Sequence, residues 1–142
     1  MRTAVALLAL TVAPAWAGHE LDNRDLTNGQ TLYAENCAAC HGANLEGQPD
    51  WQSPGPDGVL PAPPHDANGH TWHHSNAQLF EYTQLGGAEV VKRLGVKGFN
   101  SGMPGFGDAL SDDDIWDILA YIRSTWPERE RDVQAGRNPP HG

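Results

Sequence analysis

The stretch Cys37-Ala38-Ala39-Cys40-His41 decides how the rest of the chain is read. Two thiols three positions apart, followed at once by an imidazole, match the spacing of covalent haem attachment: each thiol can form a thioether with one porphyrin vinyl group, and the next residue then lies under the iron. On this reading Cys37 and Cys40 carry one haem c and His41 supplies the proximal nitrogen. A Cys-x-x-Cys pair alone is shared with redox disulfides and with half-sites for zinc. The βαβ setting of a thioredoxin-like disulfide is missing, and a structural zinc site would want a second Cys or His pair at ligand spacing.

Export is consistent with that chemistry. Residues 1–17 read as a secretory signal, with Arg2 as the positive start, an apolar stretch from Ala4 to Ala13, and Ala15-Trp16-Ala17 as the cleavage site. The apolar stretch is shorter than the roughly 20 residues that span a bilayer, so a periplasmic mature chain without a membrane span is expected. In an oxidising compartment an unmodified thiol pair ends as a disulfide, and haem attachment uses both cysteines instead. Residues 18–142 are enough for one domain, expected to have its core at about 25–126 and a polar C-terminal tail.

Loss of Arg2 with the signal leaves eight Lys and Arg, from nine, against 18 Asp and Glu, a net charge of −10 before any haem propionates. Such a charge argues against nucleic acid and anionic membrane surfaces as partners. It suits solubility, and any electrostatically steered redox partner would present a basic docking patch.

A first helix is expected from Leu26 to Cys40, capped by Thr27 or Asn28, with Leu32, Tyr33 and Cys37 at helical spacing. Gly29 costs a helix about 1 kcal/mol unless another helix crosses closely there. Residues 42–74 are rich in Gly and Pro and poor in helical pattern, a length of loop that is unusual unless it packs on a cofactor. Ser75 or Asn76 caps a second helix through Leu85, with Leu79, Phe80 and Tyr82 on its apolar side and Gly86-Gly87 ending it. A short helical turn is expected over residues 88–94, then a glycine-rich loop to Gly107. Ser111-Asp112-Asp113-Asp114 is a capping box with three acidic groups in the first turn, and Ile115, Ile118, Leu119 and Ile122 form the core stripe of the last helix. From Glu128 onward the charged, Pro-containing sequence reads as a solvated tail.

Taken together, the chain resembles the class I c-type cytochromes, specifically the small exported bacterial ones, over Asp25 to about Trp126. Gly29, Tyr33 and Cys37 match the family's four-residue spacing on the first helix, Ala120-Tyr121 its pair at the helix crossing, and Met103-Pro104-Gly105 its sixth-ligand loop. The resemblance implies an all-α cytochrome c fold, with N- and C-terminal helices crossing around one covalently attached haem and long Gly/Pro-rich loops. It implies His41 and Met103 as axial ligands, and a proline carbonyl accepting the second N–H of His41, with Pro61, Pro63 and Pro64 as candidates.

Met103 is the one methionine left after the signal, in a loop poorly suited to core filler. His65, His70, His73 and His74 offer a rival sixth ligand or a separate zinc or copper site. Propionate or packing contacts from Trp72, His73, His74, Tyr33 and Pro64 are the plainer expectation. The function expected is one-electron transfer by a periplasmic carrier with no catalytic residues, and not an enzyme. Its alternatives are the electron-accepting cytochrome subunit of an oxidoreductase complex, or a ligand-binding haem sensor or enzyme with an open iron position.

Overall fold

In the computed structural model, which describes residues 20–139, the best-specified element is the long helix near the C-terminus. The expected signal segment lies outside the described residues. Numbered in chain order, the α-helices are α1 Leu26–Asn36, α2 Ala38–His41, α3 Asn76–Leu85, α4 Gly87–Arg93, α5 Asp112–Ser124 and α6 Glu128–Ala135, with one 3-10 turn at Thr71–His73. The described residues contain no strand, and a lone parallel bridge joins Leu60 to Ser101.

Helix α5 starts where its sequence says. The Ser111 hydroxyl accepts from the amide of Asp114 at 3.2 Å, the Asp114 carboxylate accepts from the amide of Ser111 at 3.1 Å, and three aspartates occupy the positive first turn. Ile115, Ile118, Leu119 and Ile122 are all buried, each side chain worth about 1.5–3 kcal/mol over its exposed state. Against this helix lies α1, the most extensive helix pairing among the described residues. A Cβ on Gly29 would collide with the Asp117 carbonyl oxygen and come within 3.0 Å of the Tyr121 Cβ, so the helices meet backbone to backbone at that point. The buried Asp117 carboxylate accepts from Asn28 Nδ2 at 3.0 Å and from the Asp25 amide at 3.3 Å, which pins the crossing.

Two details of α1 differ from expectation. Its cap is Asp25, whose carboxylate accepts from the amides of Thr27 and Asn28 at 3.0 and 2.9 Å, in place of Thr27 or Asn28 themselves. The helix also stops at Asn36 instead of running to Cys40. At Cys37 the backbone opens to φ −117°, and a separate turn, α2, carries Ala38 to His41 until Gly42, at φ +84°, ends it.

Helix α3 is capped by Ser75, one of the two expected caps, in a capping box with Gln78 that the sequence reading did not include, and it packs on α5 through a Phe80–Trp116 stack with centroids 4.3 Å apart. The larger correction concerns the C-terminus. Residues 128–135 form α6, which docks on the Thr71–His73 turn instead of trailing as a solvated tail. Polar contacts hold it there: Gln134 is fully buried and donates to Asn76 Oδ1 at 2.6 Å, Asn138 Oδ1 accepts from the Asn76 amide at 2.8 Å, and Arg129 lies over the Trp72 ring at 5.6 Å.

Candidate haem-binding site

The break at Cys37 shapes the attachment segment. Cys37 is half-buried at the end of α1, Cys40 is exposed on α2, and their sulfurs are not bonded to each other. Burial, with a smaller contribution from Cys40, pushes the Cys37 thiol up to about 11, so it is a neutral thiol near pH 7.

His41, one residue on, is buried, and its Nδ1 lies 2.8 Å from the carbonyl oxygen of Pro63. A carbonyl can only accept, so Nδ1 carries the proton and Nε2 keeps its lone pair. Burial lowers the imidazole's pKa more than the Pro63 bond raises it, which holds the ring neutral. A neutral imidazole oriented through its second nitrogen is the form that ligates a metal. With two unpaired thiols beside it, this donor set fits a covalently held haem. Of the three prolines left open by the sequence, the structure selects Pro63.

Met103 sits in the glycine-rich loop between α4 and α5, half-buried. Its carbonyl accepts from the Gly87 amide at 3.0 Å, its amide donates to Ser101 Oγ at 3.3 Å, and the Phe106 and Gly107 amides donate to the carbonyls of Thr83 and Gln84 at 3.0 Å each. Gly86, at φ +84°, and Gly105 let the two backbones pass at close range: a Cβ on Gly86 would lie 2.6 Å from the Gly105 nitrogen, and one on Gly105 2.7 Å from the Leu85 carbonyl carbon. The methionine loop is therefore strapped to the α3–α4 corner, and α3 is packed on α5.

The remaining candidates from the sequence spread over the 42–74 segment and its neighbours. Tyr33 is buried and its hydroxyl donates to the Gly42 carbonyl at 2.8 Å, while burial, then Cys37, Tyr121 and Glu46, raise its pKa. Trp72 is buried and donates from Nε1 to the Ala67 carbonyl at 3.3 Å. His73 lies exposed on the Trp72 ring at 3.7 Å, and His74 is half-buried, edge-on to His70 at 5.3 Å. Pro64 is buried, and its carbonyl accepts from the Thr71 hydroxyl at 3.4 Å. His70 stacks on Trp51 at 5.3 Å. His65 is apart from the others, stacked on His41 itself at 4.0 Å. Among the described residues, no three His, Cys, Asp or Glu side chains converge as a metal site.

Sequence reasoning missed two supporting residues. The Thr71 hydroxyl bonds His65 Nδ1 at 2.8 Å, and Trp126 Nε1 donates to the His65 carbonyl at 2.6 Å. Neither had a sequence signal, because both act on a partner distant in the chain or across a turn.

Comparison with known proteins supplies the family. Residues 26–126 match the family described as Cytochrome c. The chain is 31% identical over 98 residues to cytochrome c6 of Synechocystis sp., an overlap spanning 69% of this chain and 63%, under two thirds, of that protein. It is 29% identical over 101 residues to cytochrome c6 of Porphyra purpurea, covering 70% of this chain and 71% of the relative. Cytochrome c-555 of Prosthecochloris aestuarii is 26% identical over 80 residues, covering 52% and 81%. No solved structure matches at the same level of significance. With the family's match running from the first residue of α1 to Trp126, and an all-helical frame around the attachment segment, the chain belongs to the cytochrome c family, whose cofactor is one covalently attached haem c.

Proposed function

We propose that this chain is an exported, periplasmic one-electron carrier in which Cys37 and Cys40 hold the haem by thioethers, and His41 Nε2 and the Met103 sulfur are the axial ligands. Bound haem c supplies a reversible one-electron couple at its iron. The chain's own work is to keep His41 neutral and aimed, to hold Met103 on a loop strapped to α3 and α4, and to present an acidic surface for docking. The observation that carries the reading is the Pro63 carbonyl on His41 Nδ1, which leaves Nε2 as the ligating nitrogen. Methionine ligation favours the ferrous state and raises the potential relative to a bis-imidazole site.

Export rests on the signal-like residues 1–17, and no helix among the described residues is long and apolar enough to cross a membrane. The expected partners are redox proteins with a basic docking patch, given the chain's net charge. The optical spectrum of the oxidised protein is the test. A weak far-red sulfur-to-iron band is expected, and its absence would contradict methionine ligation.

One observation favours the subunit alternative. Leu94, Val96 and Phe99 stand exposed, by 69, 49 and 39%, at the end of α4 and in the segment that follows it. An apolar group of this kind suits a standing interface with a catalytic partner. Native mass in periplasmic extract separates the two: a single-chain mass supports the free carrier, and a stable larger complex supports the subunit.

A further inference from the structure

We infer that His65 is a positioning residue that fixes the plane of the His41 ring, and so the orientation of the axial imidazole on the haem. The two rings stack with centroids 4.0 Å apart and planes 25° from parallel. This inference rests on the assignment of His41 as an iron ligand and adds to it a second constraint. The hydrogen bond to Pro63 selects the tautomer, but a hydrogen bond tolerates tens of degrees of misalignment before it weakens steeply. A ring face packed at contact distance does not allow the same rotation, because turning His41 about its Nε2 axis would drive its edge into the His65 plane.

The stack controls orientation only if His65 is itself fixed, and it is held at four points. Its amide donates to the Leu45 carbonyl at 2.8 Å and its carbonyl accepts from Trp126 Nε1 at 2.6 Å, so its backbone is clamped between a buried loop residue and the buried indole that follows α5. Its Nδ1 lies 2.8 Å from Thr71 Oγ1. The same hydroxyl lies 3.4 Å from the Pro64 carbonyl, which ties the His65 ring to the backbone next to Pro63. The Tyr33 ring closes the fourth side edge-on, with centroids 6.5 Å apart and planes 73° apart. Every one of these partners lies on α1, on the loop that carries Pro63, or beside α5, so the plane of the axial ring is referred to the crossed helices. The expected consequence is electronic. In a ferric low-spin haem, the axial ring plane sets the direction in which unpaired spin spreads over the porphyrin.

The test uses the intact, haem-loaded protein and reads ferric electron paramagnetic resonance and paramagnetic proton NMR. Hyperfine-shifted ring protons assigned to His41 are required first in the unmodified protein. Without them the ligand assignment fails, independently of His65. With them present, His65→Ala is expected to shift the largest g-value and redistribute the haem-methyl shifts, while the far-red methionine band stays in place. His65→Phe, which keeps a ring face on His41, should restore most of the unmodified pattern. Thr71→Val keeps His65 but removes its anchor, and should move the methyl shifts in the same direction by less. It also serves if His65→Ala does not fold. Unmodified g-values and methyl shifts in His65→Ala, or in Thr71→Val if only that variant folds, would overturn the inference.

Discussion

The α1–α5 crossing and the loop from Gly42 to His74 are held by different forces. The crossing is made by apolar stripes and by a glycine that lets two backbones touch. The loop inserts Leu45 and Trp72 into the same core, and between those two anchors it is held by scattered single bonds: the Gly47 amide to the His41 carbonyl at 2.7 Å, the Gln48 amide to the Ala62 carbonyl at 2.8 Å, the Ala62 amide to Gln48 Oε1 at 2.9 Å, and the ring stacks of its histidines. A packed stripe resists change collectively, whereas each loop contact fails by itself. The frame therefore sets stability, and the loop sets the detail around His41, the proposed haem ligand.

The largest effect should come from breaking the frame. Gly29→Val would push a side chain into the Asp117 carbonyl, and since that neighbour is backbone it cannot swing away. The expected cost is at the upper end of the roughly 1–3 kcal/mol of overpacking, read as a lower denaturant midpoint with an unchanged ligand spectrum. An unaltered midpoint would mean that the helices do not meet at Gly29.

The join between frame and loop should cost less. Trp126→Phe keeps most of the buried ring but strands the His65 carbonyl, an expected loss of about 1–2 kcal/mol in unfolding free energy. A loss under a few tenths would show that the carbonyl finds another donor.

Acidification sharpens the contrast with a smaller effect. Burial, followed by the neighbouring histidines, holds the pKa values of His70 and His74 below the ordinary 6.5, with Arg137 adding to the effect on His74. A folded-state pKa below the unfolded one favours folding above 6.5, and that contribution is lost as pH falls from there through the depressed values. Between about pH 7 and pH 5, hydrogen-exchange protection should drop for amides of the loop before it drops in α5. An equal loss in both regions would erase the distinction.

The same contrast explains what could be read in the sequence. Helix α5 with its capping box, the Ser75 cap of α3 and the crossing at Gly29 are local or periodic patterns, and each appears in the structure within a residue or two of its expected position. The break at Cys37 has no such signal, since Ala-Ala-Cys-His reads as a continued helix. Helix α6 reads as tail in the sequence because its buried positions, Glu130 and Gln134, are polar: Glu130 is paired with the adjacent Arg129, and Gln134 reaches Asn76, 58 residues away. At the candidate site, the Cys37-x-x-Cys40-His41 spacing is plain in the sequence. Pro63 could not be separated from Pro61 and Pro64, because the choice depends on how the loop turns over His41. The stack of His65 on His41 was hidden for the same reason.

The central claim, a carrier whose iron is closed by His41 and Met103, is tested most directly by carbon monoxide binding to the ferrous protein at neutral pH, with Met103→Ala measured alongside. The unmodified protein is expected to bind poorly, and Met103→Ala to bind readily with a lowered reduction potential, because the thioether's preference for ferrous iron is gone. The potential must be measured together with binding, since a loop histidine swinging onto the iron would block the gas yet still lower the potential. Rapid binding by the unmodified protein, unchanged in Met103→Ala, would contradict the carrier and point to a haem sensor or enzyme.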